Sequence, residues 1–188
     1  MSGVPQLTII IASTRPGRAG GPVARWFSER ATAHGGFDIR VADLAEIDLP
    51  LMNERHHPRL RKYELDHTKA WSATVDASDA FVIVTPEYNH GYPAPLKNAI
   101  DYLFQEWQHK PVGLVSYGAV AGGVRSAQAI KPVLQYLKMI PVSESVIIPF
   151  VAKHITDGAF QATPAIDESA TAMLDELQRL EATLRPLR

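Results

Sequence analysis

The sequence predicts a doubly wound α/β fold, in which a five-stranded parallel sheet carries helices on both of its faces. Short apolar, β-branched runs alternate along the chain with segments of helical periodicity, which gives five strand–helix units. Most of the runs are apolar at nearly every position, as is typical of parallel strands buried on both faces. A chain of 188 residues with 46% hydrophobic residues can bury a substantial core. We therefore expect residues 1–188 to form a single domain.

Five short segments predict the strands of this sheet. The first strand is expected at residues 7–12, and the third, fourth and fifth at residues 80–84, 112–115 and 146–148. These four segments consist almost entirely of apolar side chains. Residues 37–41 instead alternate between apolar and polar side chains, which indicates a strand at the edge of the sheet.

Helices are predicted where apolar residues recur at the i, i+3, i+4, i+7 spacing of one buried face. The four predicted faces consist of Val23, Ala24, Phe27 and Ala31; Leu96, Ala99, Ile100, Leu103 and Phe104; Ile130, Val133, Leu134 and Leu137; and Met173, Leu177, Leu180 and Leu184. Thr163 can cap the last helix, with Pro164 at its first position. The stretch 44–67 lacks such regularity, and we expect an irregular and mobile excursion there.

Composition and charge narrow the possible functions. The formal net charge of −1 gives no long-range attraction to nucleic acid or to an anionic membrane. The chain has no cysteine, which excludes disulfides, thiolate catalysis and cysteine metal sites, and no histidine–carboxylate spacing predicts another metal site. Residues 1–6 show no secretory signal, and the apolar runs are too short for a membrane helix. We expect a cytoplasmic protein without nucleic-acid or membrane partners.

The loop after the first strand has the features of a site for one phosphate group. In doubly wound sheets, ligands bind at the carboxyl ends of the strands, which here lead into residues 13–21, 85–95 and 116–123. Residues 13–21 place two hydroxyls and two guanidinium groups at the start of a helix, whose free N–H groups and dipole favour an anion. The spacings of the P-loop and of the dinucleotide fingerprint are both absent. The loop therefore suits a monophosphate, and the alternative is an ordinary glycine/proline turn with solvated arginines.

The loop after the third strand is stiff and carries groups that can read a heterocycle. Three prolines and one glycine restrict the path of residues 85–95. Tyr88 offers an aromatic face, and Asn89 offers an amide that can hydrogen-bond the edge of a ring. We expect this loop to present fixed backbone groups to a planar ligand.

The three loops together resemble those of the NADPH-dependent FMN reductase family, a flavodoxin-like group that includes quinone, chromate and azo-dye reductases. The similarity rests on Pro-Glu-Tyr-Asn at residues 86–89 followed by Pro-Leu-Lys-Asn-Ala-Ile-Asp at residues 95–101. It also rests on the Ser-x-Arg start of the first loop, with Val-Ala-x-Trp after it, and on the Ser-Tyr-Gly and Gly-Gly-x-Arg segments of residues 116–125. The motifs occur in order at strand ends over roughly residues 7–148. Family members often have serine or threonine near the end of the first loop, where this chain has Gly20 and Gly21.

The resemblance implies a flavodoxin-like sheet with strand order 2-1-3-4-5 and an FMN site at the strand ends. It implies that the FMN phosphate is held by Ser13, Arg15, Arg18 and Gly20. It also implies that the isoalloxazine ring is lined by Pro86, Glu87, Tyr88 and Asn89, and closed on its other side by Ser116, Tyr117, Gly118 and Gly122.

By the same resemblance, the chain is expected to be an FMN-dependent NAD(P)H oxidoreductase of the FMN reductase or quinone reductase type. FMN would be its cofactor and NADPH or NADH its co-substrate, with electrons passing in ping-pong order to a quinone, free flavin or similar small acceptor. Hydride transfer to a flavin requires no acid or base, so no catalytic side chain is expected, and Glu87 is assigned a structural role. The resemblance further implies a homodimer or homotetramer, with an interface that includes Tyr102, Trp107 and Tyr136, and the alternative is that these are ordinary core or surface aromatic residues.

Two other classes of function fit parts of the sequence. A flavin-binding electron carrier or storage protein without NAD(P)H activity is the alternative, although carriers of this fold are typically strongly acidic and this chain is nearly neutral. A phosphate-relay receiver domain of the same fold would need acidic residues at the ends of the first and third strands. This chain has Ser13 and Thr14 after the first strand and Thr85 and Pro86 at the end of the third, which argues against that class.

Overall fold

The computed structural model describes residues 3–188 and contains the predicted parallel sheet. Its strands lie in the order β2-β1-β3-β4-β5, which confirms the flavodoxin-like fold class. Their bounds are β1 (Gln6–Ile11), β2 (Asp38–Asp43), β3 (Ala80–Pro86), β4 (Pro111–Tyr117) and β5 (Ile140–Ile148). Strand β5 begins six residues earlier than predicted. It lies at an edge of the sheet with only part of its residues buried, so its first half lacks a continuous apolar run.

The helices connect these strands and also confirm the predicted periodic segments. Their bounds are α1 (Gly20–His34), α2 (Leu44–Ile47), α3 (Asp66–Asp76), α4 (Ala94–Asp101), α5 (Val124–Tyr136) and α6 (Pro164–Leu184), and a short hairpin of β6 (Ile155–Thr156) and β7 (Ala159–Phe160) precedes α6. Thr163 caps α6 as predicted, since its hydroxyl accepts a hydrogen bond from the Ile166 N–H. Leu103 and Phe104 belong to the buried face of the α4 region but lie beyond the end of that helix. Among residues 3–188, no helix combines the length and the apolar character needed to span a bilayer.

Each face of the sheet carries its own hydrophobic core. Helices α1 and α6 pack with Leu7, Ile9 and Ile11 of β1, whereas α3, α4 and α5 pack on the opposite face, where Ile10 of the same strand points. Alternate residues of a strand point to opposite faces, so one apolar strand serves both cores. Burying each large apolar side chain contributes about 1.5–3 kcal/mol to stability.

The stretch 44–67 is irregular, as predicted, and is held against α4 by polar side chains. The Asn98 amide donates a hydrogen bond to the Pro50 carbonyl at 2.7 Å and accepts one from the Met52 N–H at 2.9 Å. The Tyr102 hydroxyl donates to the side-chain oxygen of Asn53 at 2.9 Å. Asn98 lies within the motif at residues 95–101, so that motif ties the stretch 44–67 to α4. The mobility of the stretch stays a prediction.

Two of the three aromatic residues expected at a subunit interface lie inside the chain instead. Tyr102 and Trp107 are 0% and 1% exposed, and the Trp107 ring packs against Trp71 and Phe81. The expectation for these two residues is wrong, because α4 ends at Asp101 and the chain then turns back into the core. These two residues are buried because they lie just beyond the end of the helix, and the apolar pattern alone does not reveal where the helix ends.

A buried lysine closes the end of α3. The Lys110 ammonium group donates hydrogen bonds to the Val75 carbonyl at 2.7 Å and to the Asp76 carbonyl at 3.1 Å, and the residue is only 5% exposed. Cations near the carboxyl end of a helix satisfy carbonyl groups that lack partners within the helix. Burial lowers the pKa of Lys110 to about 8, although nearby Asp76 favours the charged form.

This burial predicts a pH dependence of stability that depends on Lys110. The pKa is about 8 in the folded chain and 10.5 when unperturbed, so between these values the unfolded chain binds more protons. The free energy of unfolding of the wild type should therefore rise with pH across that window, by up to about 3 kcal/mol relative to Lys110→Met. Urea denaturation of both proteins at pH 7 and pH 10.5 measures the difference.

The exposed Lys69 supplies the control, because its replacement by Met should give the same pH dependence as the wild type. Parallel stability–pH curves for the wild type and Lys110→Met would contradict the assignment.

Candidate functional site

Three loops converge at the carboxyl edge of the sheet and form a crevice of about 160 Å³. Loop 1 (residues 12–19) follows β1, loop 2 (residues 87–93) follows β3, and loop 3 (residues 118–123) follows β4. The crevice is lined by Arg15, Arg18, Ala19, Pro86, Glu87, Tyr88, Tyr117, Gly118 and Val151. The structure thus brings predicted residues from all three loops together.

In loop 1, two predicted phosphate ligands already have partners within the chain. The Ser13 hydroxyl is fully buried and shares a hydrogen bond of 2.6 Å with the Tyr88 hydroxyl. The Arg18 guanidinium pairs with Asp43 at the end of β2, while the other carboxylate oxygen of Asp43 caps α2. The Arg15 side chain is exposed and has no hydrogen bond or ion pair among residues 3–188. Arg15 is therefore the guanidinium of this loop that is free to meet an anion.

Helix α1 begins at the crevice without a side-chain cap. Its first residue is Gly20, and no side chain accepts a hydrogen bond from its first turn. The first N–H groups of a helix have no partners within the helix, and the helix dipole is positive at this end. These N–H groups and Arg15 together provide what a phosphate group requires.

Loop 2 forms a tight turn above the crevice. Tyr88 and Gly91 exchange backbone hydrogen bonds of 2.9 and 3.0 Å, and both residues between them, Asn89 and His90, have positive φ angles of 49° and 66°. Asparagine and histidine adopt this backbone conformation more readily than most residues. The turn leaves Tyr88 at the crevice and places the exposed Asn89 and His90 beyond its lining.

Glu87 joins loop 2 to the start of α5. One carboxylate oxygen accepts a hydrogen bond from the Arg125 guanidinium at 2.7 Å, and the other accepts one from the Arg125 backbone N–H at 3.1 Å. The hydrogen bond from the Arg125 side chain lowers the pKa of Glu87. A carboxylate held in this way stays ionised at neutral pH, which agrees with a structural role rather than one as an acid. Arg125 ends the predicted Gly-Gly-x-Arg segment, and its contact with Glu87 was not predicted.

Loop 3 requires glycine at two successive positions. Gly122 and Gly123 both have positive φ angles, and a Cβ atom at Gly123 would lie 2.7 Å from the backbone N and O of Tyr117. A Cβ atom at Gly122 would lie 2.6 Å from the Ile147 side chain. The loop can fold back onto the end of β4 only without these side chains.

Three other residues refine the predicted site. The Ser116 side chain is fully buried beneath loop 3, and neither it nor Gly122 lines the crevice. Val151 lines the crevice although it was not predicted, because its N–H donates to the Gly118 carbonyl at 3.0 Å and draws the segment after β5 onto loop 3. Only this long-range contact identifies Val151, which carries no polar group or motif.

The groups around the crevice fit a flavin mononucleotide. Among residues 3–188, the Tyr117 hydroxyl and the Arg18 Nε are buried without a hydrogen-bond partner, and both residues line the crevice. Buried polar groups without partners are costly, so donors of this kind at a crevice point to an anionic ligand. Tyr88 adds an aromatic ring at the same place.

The sequence model of the family described as NADPH-dependent FMN reductase matches residues 5–153. The chain belongs to this family. An NAD(P)H-dependent FMN reductase of Schizosaccharomyces pombe is 35% identical over 184 residues, which cover 95% of this chain and 92% of the relative. A quinone reductase of Pseudomonas putida is 33% identical over 146 residues, 74% of each chain. This reductase is thus an oxidoreductase that uses FMN and NAD(P)H.

A solved structure supports the fold of the reductase. The flavoenzyme FerB of Paracoccus denitrificans, an NAD(P)H:(acceptor) oxidoreductase, superposes with a TM-score of 0.75 at 20% identity. The match covers 96% of this chain and 99% of FerB.

The Glu87–Arg125 contact predicts an energetic coupling that affects flavin binding. We expect Glu87→Ala and Arg125→Ala each to weaken FMN binding about tenfold, and the double variant to lose little more than either single variant. The reason is that either change releases loop 2 from α5, and charge-assisted hydrogen bonds are worth about 1.5–3 kcal/mol. Titration of flavin fluorescence measures the dissociation constants.

Arg179→Ala serves as the control, because Arg179 forms a similar ion pair with Glu176 on the exposed side of α6, away from the crevice. Additive losses from the two single variants would show that Glu87 and Arg125 act independently.

Proposed function

We propose that the reductase passes electrons from NAD(P)H through FMN held in the crevice to a quinone, free flavin or similar small acceptor, in ping-pong order. The observation that carries the proposal is the convergence of three strand-end loops on one crevice that is lined by both anion donors and the aromatic ring of Tyr88. FMN, when bound, supplies the chemistry of accepting and passing on two electrons. The side chains of the protein then bind and orient the cofactor and need not exchange protons.

The proposed ligands divide between the two ends of FMN. Arg15, the start of α1 at Gly20 and the Nε of Arg18 would meet the phosphate, and Ser13 would support the loop through Tyr88. The ring would lie between residues 86–89 and residues 116–122, at the junctions of β3 with loop 2 and of β4 with loop 3. Its inner side would be closed by protein and its outer side left open, which suits a nicotinamide and an acceptor that occupy the same place in turn.

The class of acceptor is supported by the relatives. The curated proteins similar to this chain include FMN reductases and quinone reductases, whose names indicate small acceptors. A carrier or storage protein without NAD(P)H activity is less well supported, because the net charge is only −1 and the family consists of NAD(P)H-dependent reductases. The proposal also includes a single domain over residues 1–188 and a cytoplasmic location. The single domain is supported by the two cores, which share one sheet.

We also propose that two copies of the chain associate through a groove of about 1040 Å³ beside α4 and α5. The groove lies away from the crevice, and Tyr136 in it is 69% exposed. The Arg59 guanidinium lies over the Phe104 ring and donates a hydrogen bond to the Tyr136 hydroxyl at 2.8 Å. The lining contains both signs of charge, including Lys97 and Asp101, and a surface with both signs can complement itself about a two-fold axis.

The Arg15 assignment predicts a loss of cofactor. Arg15→Ala should weaken FMN binding at least tenfold, because it removes a charged donor to the phosphate. The purified variant should hold less flavin than the wild type, as measured by absorbance after denaturation. Arg25→Ala is the matched control, since Arg25 is an exposed arginine on α1 that donates to the Gly158 carbonyl. Equal flavin content in the wild type and Arg15→Ala would count against the site.

Steady-state kinetics test the reaction itself. NADPH oxidation at several quinone concentrations should give parallel double-reciprocal lines, because donor and acceptor bind in turn. Intersecting lines would exclude the ping-pong order, and an FMN-loaded protein that does not oxidise NADPH or NADH would favour the carrier.

The groove predicts the oligomeric state. Sedimentation should give the wild type twice the 20.7 kDa mass of one chain, and Tyr136→Glu should shift it to the monomer by placing a charge in a buried contact. Lys138→Glu, a charge change at an exposed position after α5, serves as the control and should stay dimeric. A monomeric wild type would contradict the proposal.

A further inference from the structure

The Tyr117 hydroxyl is a buried donor without a partner. Tyr117 is the last residue of β4 and is 4% exposed, and among residues 3–188 its hydroxyl makes no hydrogen bond. Leaving such a group unpaired lowers the stability of the folded chain. Since the residue lines the crevice, a ligand atom is the natural partner for its hydroxyl.

This hydroxyl lies against the first residue of α1. A Cβ atom at Gly20 would lie 2.7 Å from the Tyr117 hydroxyl oxygen, which is closer than real Cβ atoms approach. The φ angle of Gly20 is not positive, so the backbone conformation alone does not require glycine here. Glycine at this position is explained by the space that the Tyr117 hydroxyl occupies.

The first two residues of α1 supply no hydroxyl. Residues 20 and 21 are both glycine, and α1 has no side-chain cap. The Ser13 hydroxyl is engaged with Tyr88. The Tyr117 hydroxyl therefore takes the place that a serine or threonine side chain at position 20 would fill.

The surroundings keep this hydroxyl protonated. Burial raises the pKa of Tyr117, and the neighbouring Tyr88 raises it further, while the nearby Ser13 side chain, Arg18 and Arg15 have the opposite effect. The pKa remains above its usual range. At neutral pH the group is a hydrogen-bond donor beside two guanidinium groups, an arrangement that suits an anion and not a cation.

We propose that the Tyr117 hydroxyl donates a hydrogen bond to the phosphate of FMN at the start of α1. This assignment rests on the proposed function and moves Tyr117 from the ring side of the site to the phosphate side. It makes a residue of β4 part of the phosphate site, with Gly20 as its steric complement. The consequence is selectivity for FMN over riboflavin, which has the same ring and no phosphate.

Comparison of the two flavins tests the proposal. Titration of fluorescence gives the dissociation constants of FMN and riboflavin for the wild type and for Tyr117→Phe. We expect FMN binding to weaken about tenfold in the variant and riboflavin binding to stay unchanged. Tyr102→Phe is the matched control, because it removes a hydroxyl from another buried tyrosine whose partners lie in the stretch 44–67. This control should bind both flavins as the wild type does.

A second variant tests the close approach of Gly20 to the Tyr117 hydroxyl. Gly20→Ser alone should weaken FMN binding and lower the melting temperature, because its Cβ meets the Tyr117 hydroxyl. In the Tyr117→Phe background that clash is absent, and the nearest remaining atom is Ile11 Cγ2 at 3.3 Å. The double variant Gly20→Ser/Tyr117→Phe should therefore regain part of the FMN affinity and of the melting temperature.

The outcomes separate this assignment from the proposed function. If Tyr117→Phe weakens both flavins equally, or neither, the hydroxyl does not contact the phosphate and the assignment fails while the FMN site stands. If the wild type binds neither flavin, both proposals fail.

The NADPH 2′-phosphate is the other phosphate monoester in the reaction. A tenfold loss in the preference for NADPH over NADH in FMN-loaded Tyr117→Phe, without a change in FMN affinity, would reassign the hydroxyl to that group and overturn the proposal.

Discussion

The crevice depends on the hydrogen-bonded ion pair between Glu87 and Arg125. This pair joins the loop after β3 to the first turn of α5, and it uses both carboxylate oxygens of Glu87. Loop 2 also closes on itself through the bonds between Tyr88 and Gly91, and the Tyr88 hydroxyl joins it to Ser13 of loop 1. A charged contact therefore ties loop 2 to the helix that follows loop 3, and such a contact fixes geometry more strictly than apolar packing does.

The predicted FMN ligands are of two physical kinds. Ser13, Arg18 and Glu87 contact Tyr88, Asp43 and Arg125, so they hold the three loops in place before any ligand binds. Within residues 3–188 the Arg18 Nε is still without a hydrogen-bond partner. The Arg15 guanidinium and the Tyr117 hydroxyl have no such partners among residues 3–188 and remain for the anion. This division explains how a phosphate site can be rigid without its cofactor: separate polar groups build the loops and receive the ligand.

The motif at residues 95–101 shows how a sequence signature can have a structural purpose. The Asn98 side-chain amide forms hydrogen bonds with the backbone of Pro50 and Met52, and these bonds fix the long connection between β2 and α3. That connection lines the large groove beside α4 and α5, where the two copies of the chain are proposed to meet. The motif is thus linked to the proposed association of two copies as well as to the loop that precedes it.

The sequence by itself determined the fold class, the order of the units and the three loops that converge. These follow from local properties: apolar runs buried on both faces, helical periodicity, and Gly and Pro residues that restrict the backbone. Only the tertiary structure decided that Tyr102 and Trp107 are buried, that Val151 reaches the crevice and that the Tyr117 hydroxyl lies beside Gly20. Each of these depends on how distant segments are placed against one another, and a pattern along the chain carries no information about the distance between atoms on different strands and helices.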